Sequence, residues 1–161
     1  MKSPLLQAGA MALLGLTLAG CASTPAPSTI ADTTARTPQL STLNRLIAEA
    51  GLGETLRGQG PFTVFAPSDD AFKAVPAKTL AELGSDKAML MSVLTYHVVP
   101  GKTMAADVKN GNAKTVNGAN LALAKAGAMV TVEEAVVVQA DVAASNGVVH
   151  VIDRVLLPPK K

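Results

Sequence analysis

Three side chains in this 161-residue sequence could act as a nucleophile, a general base or a metal ligand. They are the one cysteine, Cys21, and the two histidines, His97 and His150. A structural zinc site normally needs four thiolate or imidazole ligands, so a metal would require carboxylates that the fold brings in. We therefore expect no metal and no cofactor. For His150, and in part for His97, we expect structural roles such as orienting the backbone or bridging polar groups in the core.

The sequence lacks the signatures of common catalytic sites. It has neither Gly-x-Ser-x-Gly nor Ser-x-x-Lys. Gly101-Lys102-Thr103 matches the end of a phosphate-binding loop, but Tyr96 occupies the position of the required first glycine. The adjacent carboxylates Asp69 and Asp70 suit the start of a helix better than acid–base catalysis. The expectation is a protein that is not an enzyme.

Cys21 ends a segment that is typical of export. Residues 5–20 carry no charge, and this run is shorter than the roughly 20 residues of a membrane-spanning helix but suits a signal-peptide core. Leu18-Ala19-Gly20-Cys21 resembles the lipobox of bacterial lipoproteins. That resemblance implies cleavage between Gly20 and Cys21 and a diacylglyceryl group on the Cys21 thiol. The alternative is an ordinary cleaved signal peptide with an incidental cysteine.

The sequence divides into four parts on this interpretation. Residues 1–20 are a lipoprotein signal peptide, and residues 21–39 are the lipidated cysteine and a disordered tether rich in Pro, Ser and Thr. Residues 40–159 form a single domain, and residues 160–161 a basic tail. An N-terminal strand of the domain is the alternative to the tether. The expected location is a membrane-anchored, exported one, in the outer membrane or periplasm of a Gram-negative cell or on the cell surface.

Composition excludes several classes of protein. A hydrophobic content of 48% and a formal net charge of +2 exclude a disordered chain. One cysteine excludes an internal disulfide. Aromatic residues make up 2% of the sequence and basic residues are scattered, which argues against nucleic-acid binding. We expect one monomeric domain, attached to the membrane through lipid on Cys21.

Helices are predicted early in the domain and strands late. Leu43, Leu46, Ile47 and Ala50 follow a helical period that Ser41 or Thr42 can cap and Gly51 can end. Ser68 and Asp86 can cap further helices. From residue 96 the pattern favours strands: an extended segment at 96–99, a hairpin at Asn117-Gly118, two strands at 129–133 and 135–139, and a long final strand at 148–157. This order indicates an α+β fold with a largely antiparallel sheet.

Three motifs resemble those of fasciclin (FAS1) domains. The first signature is similar to residues 63–72 and the second to residues 146–158, with a Tyr-His segment at 94–101 between them. The motif residues of the two signatures are Thr63, Val64, Phe65, Ala66, Pro67, Phe72, Asn146, Gly147, His150, Ile152 and Asp153. The resemblance implies a FAS1 fold, a wedge of two mainly antiparallel β-sheets with several helices on one side. It is greatest to small, single-domain bacterial secreted proteins and lipoproteins.

The motifs also have a physical interpretation. Pro67 stops a strand and Ser68 starts a helix, so Phe65 and Phe72 should enter the core from the two sides of this corner. The segment from Val148 to Ile152 is apolar on both faces, which predicts a central strand. His150 would then be at least half buried and would need hydrogen-bond partners.

The resemblance also implies a contact surface. A Tyr-His pair flanked by large apolar residues is implicated in integrin binding in animal relatives, and here it is Tyr96-His97. Asp141-Val142 resembles the Asp-Ile adhesion motif of those relatives, with valine in place of isoleucine. We carry over only the coarser hypothesis that this face contacts an unknown protein or glycan in non-catalytic adhesion. The alternative for Asp141 is a simple turn or capping role.

A second functional class remains open. Some FAS1 relatives bind apolar small molecules, and Met89, Met91, Met104 and Met129 could adapt to a carotenoid-like or lipid ligand. The alternative is that these methionines fill the core of a domain with few aromatic residues.

Overall fold

Six α-helices and seven strands make up residues 28–159, the part of the chain that the computed structural model describes. The helices are α1 (Ile30–Arg36), α2 (Ser41–Ala50), α3 (Gly53–Arg57), α4 (Asp69–Lys73), α5 (Ala77–Ser85) and α6 (Lys87–Tyr96), with a short 3-10 turn at Pro38–Leu40. The strands are β1 (Phe62–Pro67), β2 (Val98–Pro100), β3 (Gly111–Lys114), β4 (Asn120–Ala126), β5 (Met129–Val132), β6 (Ala135–Ala144) and β7 (Gly147–Ile152).

The strands lie in the order β2-β1-β7-β6-β5-β4-β3. Every pairing is antiparallel except that of β1 with β7. The ten-residue β6 pairs with β7 along one part and with β5 along another, and its register shifts around Gln139. Beyond β3, the Val116 N–H donates to the carbonyl oxygen of Val98 in β2 at 2.8 Å. The sheet is therefore nearly closed, and the predicted α+β FAS1 fold is confirmed.

Two apolar clusters lie on opposite faces of β1 and β7. Val64 and Val149 face the cluster beneath the helices, whereas Phe65 and Ile152 face the cluster inside the curved sheet. Phe72 joins the first cluster, so Phe65 and Phe72 do enter the core from the two sides of the corner. Because β7 lies between β1 and β6, its apolar character on both faces is explained.

Local capping chemistry sets several helix boundaries. Gly51 ends α2 with φ 74°, the Ser68 side chain accepts from the Ala71 N–H, and Asp86 caps α6; these agree with prediction. The capping of α2 by Ser41 or Thr42 is wrong. The 3-10 turn runs directly into α2, and the carboxylate of Asp69 in α4 accepts from the Thr42 N–H at 2.8 Å.

The tether prediction is wrong for residues 28–39. Thr29 and Asp32 form a reciprocal capping box that starts α1. Ile30 is 0% exposed in the first cluster, and its N–H donates to the Asn146 side chain at 2.9 Å. One large apolar side chain thus fixes a segment whose composition favoured a tether. Residues 1–27, with Gly20, Cys21 and the predicted signal peptide, lie outside the described residues, as do residues 160–161.

Three strand predictions also need correction. The segment 96–99 is not all extended, because Tyr96 is the last residue of α6 and His97 caps that helix. The final strand ends at Ile152 rather than Leu157. The turn at Asn117-Gly118 exists, but the strand before it is Gly111–Lys114. No helix within residues 28–159 has both the length and the apolar character to cross a membrane.

The second signature joins the end of the sheet to the helices. Asn146 donates to the carbonyl oxygens of Leu56 and Gly58 at 2.7 and 2.9 Å. A Cβ atom added to Gly147 would overlap the carbonyl oxygen of Phe62. Glycine is therefore required here by the close approach of two backbones.

Candidate functional site

His97 links the end of α6 to the C-terminal segment. Its side chain is buried, with 2% of the residue exposed. The Leu156 N–H donates to Nε2 at 3.0 Å, and Nδ1 lies 2.7 Å from the carbonyl oxygen of Val93. Since a backbone N–H can only donate, Nε2 is unprotonated and Nδ1–H donates to Val93. Burial lowers the pKa of His97 to about 4, against the opposing effect of the Val93 hydrogen bond.

Tyr96 is buried beside His97, and its hydroxyl lies where β4 begins and β5 ends. The Oη atom lies 3.2 Å from both the Asn120 carbonyl oxygen and Glu133 Oε1. Burial, together with the charge and hydrogen bond of Glu133, raises the pKa of Tyr96 to about 12. The phenol is therefore neutral at physiological pH.

This burial contradicts the prediction that Tyr96 and His97 themselves contact a partner. Both His97 nitrogens are occupied by backbone partners and its imidazole is neutral, so the ring serves as a structural link. The surface nearest to Tyr96 is a shallow cleft of about 430 Å³, which we call the Tyr96 cleft. The residues that line it include Glu133, Glu134, Arg154 and Leu157.

Asp141 and Val142 do not form one contact surface with each other. Asp141 is exposed, has φ 56°, and accepts from the Ala105 N–H through Oδ1 at 2.7 Å. Val142 is half-buried and packs against the first apolar cluster, as expected for the opposite face of a strand. Asp141 lies at the irregularity of β6 and holds the loop after β2, which agrees with its alternative role as a turn residue.

His150 is the counterpart of His97 on the central strand. It is 1% exposed and stacks on Phe65 at a ring separation of 5.6 Å, so the predicted burial is confirmed. Its Nδ1 accepts from the Asp141 N–H at 3.2 Å, which leaves Nε2–H to donate to the Thr103 carbonyl oxygen at 2.8 Å. The ring thus joins β7, the irregular part of β6 and the loop after β2.

Other signature residues are also parts of the hydrogen-bond framework. The Thr63 hydroxyl donates to the Gly101 carbonyl oxygen at 2.6 Å and accepts from the Thr103 N–H at 2.8 Å. Asp153 accepts from the Val136 N–H at 2.7 Å. Within residues 28–159, no three His, Cys, Asp or Glu side chains are grouped so that they could hold a metal ion.

An apolar pocket lies between the helices and the first two strands. Its volume is about 170 Å³, and Val116 lies at it with 46% of the residue exposed. Its walls are Leu43, Ile47, Leu52, Thr55, Leu56, Phe62, Val64, Leu94, Thr95, His97, Val98 and Val116. Sequence reasoning missed this pocket, because its walls come from distant segments; the only signal was the apolar Val116 beside a turn.

A second missed feature is a shallow cleft of about 490 Å³ at the turn between β6 and β7. We call it the basic cleft because its charged lining residues are Arg57 and Lys102. The remaining walls are Thr29, residues 58–61 and residues 144–147. The Gly58–Gly60 loop and the Asn146-Gly147 turn were visible in the sequence, but not their proximity.

The comparisons with known proteins establish the family. The Fasciclin domain model matches residues 38–158, and the chain therefore belongs to the fasciclin domain family. This result confirms the resemblance inferred from the three motifs.

Bacterial relatives match most of the chain. Protein sll1483 of Synechocystis is 46% identical over 140 residues, which cover 86% of this chain and 78% of the relative. Cell surface glycolipoprotein MPB83 of Mycobacterium bovis is 37% identical over 88% of this chain and 64% of its own length. Immunogenic protein MPB70 of the same species is 39% identical over 76% of this chain and 65% of its own length. This chain thus spans about two thirds of the mycobacterial relatives.

A solved structure matches the fold. The FAS1 domain pair of the insect cell adhesion molecule Fasciclin I superposes with a TM-score of 0.64 at 19% identity. The match covers 81% of this chain and 51% of the pair.

Proposed function

We propose that this protein is an exported, lipid-anchored FAS1 domain that mediates non-catalytic adhesion or interaction with a protein or glycan at the cell envelope. The observation that carries the proposal is the 37% identity with a cell surface glycolipoprotein over 88% of the chain. The lipobox-like sequence ending in Cys21 supports the anchor, because two or more acyl chains bind a protein stably to a membrane.

The Tyr96 cleft is the proposed contact surface. It is the accessible part of the Tyr-His region, and it combines the exposed apolar side chain of Leu157 with charged groups of both signs. Arg154 and Glu134 form an exposed ion pair of 3.7 Å across its rim, which costs little to rearrange for a partner. An apolar centre with a polar rim is the usual composition of a protein interface.

Attachment of cells that carry Leu157→Glu tests this surface. Leu157 is 49% exposed, and Val138, which does not line the cleft, is 59% exposed, so Val138→Glu adds the same charge to a matched apolar position. We expect attachment to fall with Leu157→Glu and to persist with Val138→Glu. Equal attachment by both variants would reject the Tyr96 cleft, and unchanged attachment after deletion of the protein would reject adhesion itself.

The lipid anchor has a separate test. The intact mass of the protein isolated from its native membrane should correspond to a chain starting at Cys21 with added acyl groups. A mass without acyl groups would reject anchoring and would leave the contact surface to be judged on its own.

The apolar pocket favours a second candidate function, the carriage of an apolar small ligand. Its 170 Å³ is close to the roughly 150 Å³ of a cavity that holds benzene and below the roughly 300 Å³ of typical ligand sites. The pocket therefore suits one end of an acyl chain better than a whole carotenoid. Native mass spectrometry should detect a bound fatty acid that Val116→Trp reduces and the matched, exposed Met129→Trp does not. Equal binding by both variants would exclude this pocket.

A further inference from the structure

The structure shortens the connection between Cys21 and the folded domain. Ser28 is bound to the domain, because its carbonyl oxygen accepts from the Ser145 N–H. It lies seven positions after Cys21, whereas the sequence predicted a tether up to residue 39. Seven extended residues reach at most about 25 Å. If Cys21 carries the lipid, as proposed above, the part of the domain next to Ser28 stays within about 25 Å of the membrane surface.

The basic cleft lies at this anchored part of the domain. The carbonyl oxygen of Ser28 accepts from the Ser145 N–H at 2.8 Å, and Ser145 lines the cleft together with Thr29. The point at which the chain enters the domain is therefore on the rim of the cleft.

The charges of the cleft suit an anion. Among residues 28–159, Arg57 and Lys102 line it, and no carboxylate does. A third cation, Arg36, donates to the Ser28 hydroxyl at 2.6 Å beside the rim. Lys102 makes no ion pair with residues 28–159.

Two exposed carboxylates lie close to Arg57 without closing the cleft. Glu54 pairs with it at 3.2 Å and Asp32 at 3.8 Å, and all three side chains are at least 40% exposed. Exposed pairs of this kind are weak. A guanidinium can exchange them for a phosphate, which it binds in a bidentate manner.

We propose that the basic cleft binds the phosphate groups of anionic phospholipids and docks the domain on the membrane that anchors it. This inference rests on the proposed lipid anchor, because the anchor holds the cleft close to the lipid headgroups of the membrane. An anionic surface attracts each nearby Lys or Arg enough to favour the docked state about fivefold. Docking therefore depends on a local pair of cations and does not require a strongly basic protein.

Docking would also orient the proposed contact surface. Strand β6 begins at Ala135, on the wall of the Tyr96 cleft, and ends at Ala144, on the wall of the basic cleft. Ten strand residues span about 30 Å. With the basic cleft on the membrane, the Tyr96 cleft lies at the other end of β6 and faces away from the bilayer.

The test uses the acylated protein in vesicles of phosphatidylcholine, with and without phosphatidylglycerol. Backbone hydrogen exchange is measured at residues 57–60 and 101–103 beside the basic cleft, with residues 133–135 as the internal reference. We expect slower exchange at the cleft only in the anionic vesicles. In anionic vesicles, Lys102→Glu should raise the exchange rate beside the cleft about fivefold or more relative to the unsubstituted protein. Lys78→Glu changes charge by the same amount at an exposed position of α5 and should have no effect.

The outcomes separate the two proposals. Absence of acyl mass on Cys21 rejects the anchor and, with it, the inference that depends on it. An acylated protein with equal exchange in neutral and anionic vesicles rejects docking alone. Protection by soluble dextran sulfate but not by anionic vesicles also overturns the inference, because it assigns the cleft to an acidic polysaccharide.

Discussion

The two histidines occupy similar environments but connect different parts of the molecule. Both are almost fully buried, and each uses both ring nitrogens on backbone groups. His97 joins α6 to Leu156, 59 positions later in the chain, and Leu156 is itself buried in the second cluster. His150 joins the central strand to Thr103 and Asp141, which lie in and beside the loop between β2 and β3.

The difference separates global from local stability. His97 ties a buried C-terminal segment to the end of α6, so its loss should loosen the whole domain. His150 accepts from the Asp141 N–H, and the Asp141 carboxylate accepts in turn from the Ala105 N–H in an exposed hydrogen bond. The segment that this network fixes is a surface loop. Regions that open locally are those with few buried contacts, and on this basis the Asp141 end of the network should open without unfolding the core.

The largest expected effect is that of His97→Ala. The variant leaves a cavity and an unsatisfied Leu156 N–H in a buried site, which together should lower the free energy of unfolding by about 4 kcal/mol at pH 7.5. Chemical denaturation measures this loss. Val138→Ala, at an exposed position, should cost less than about 0.5 kcal/mol. A loss below about 1 kcal/mol for His97→Ala would mean that the C-terminal segment is held by other contacts.

The pH dependence of stability tests the same link with a smaller effect. The unfolded pKa of His97 is 6.5 and the folded pKa is about 4, so between these values the unfolded chain binds a proton that the native state does not. The contribution of His97 to the free energy of unfolding is therefore complete above pH 6.5 and is lost as the pH decreases toward 4. The expected loss from His97 between pH 7.5 and 5 is about 2 kcal/mol.

His97→Gln should remove this part of the pH dependence while keeping an amide at the site. The carboxyl of Asp32, whose pKa the Thr29 hydrogen bonds lower from 3.8, responds below this range and does not interfere. Parallel stability curves for the two proteins between pH 5 and 7.5 would contradict the assigned protonation of His97.

The sequence predicts those features of the fold that depend on neighbouring residues. Gly51, Ser68 and Asp86 act through backbone groups two to four positions away, so their chemistry is visible in a short window. The burial of Ile30 was not predictable in this way. Its partner, Asn146, is 116 positions away in the chain, and the surrounding Pro, Ser and Thr residues favour an extended segment.

The candidate site was less predictable than the fold for the same reason. Tyr96 and His97 read as a contact segment, but Asn120 and Leu156 occupy their polar atoms, and no local pattern indicates such pairing. The basic cleft combines Arg57 with Lys102 through the register of β1 and β2, which places Phe62 opposite Pro100. Charge counts alone, which are close to balanced, conceal this local excess.

The smallest expected effect comes from Asp141. Its φ of 56° is costly for most side chains but free for glycine, so Asp141→Gly removes the carboxylate without adding strain. The bond to the Ala105 N–H is exposed, and we expect a global loss of no more than about 1 kcal/mol. Hydrogen exchange at Ala105 should nevertheless become several times faster.

Asp141→Ala separates the hydrogen bond from the backbone conformation. It removes the same acceptor but, unlike glycine, keeps a Cβ atom in the left-handed region, which should cost about 1 kcal/mol more than Asp141→Gly. If both variants accelerate exchange at Ala105 but leave the Leu156 amide protected, the two histidine networks are energetically distinct. If Leu156 also loses protection, the loop and the C-terminal segment form one cooperative unit. The hydrogen bonds of His150 would then couple the loop, through β7, to the core that contains His97 and Leu156.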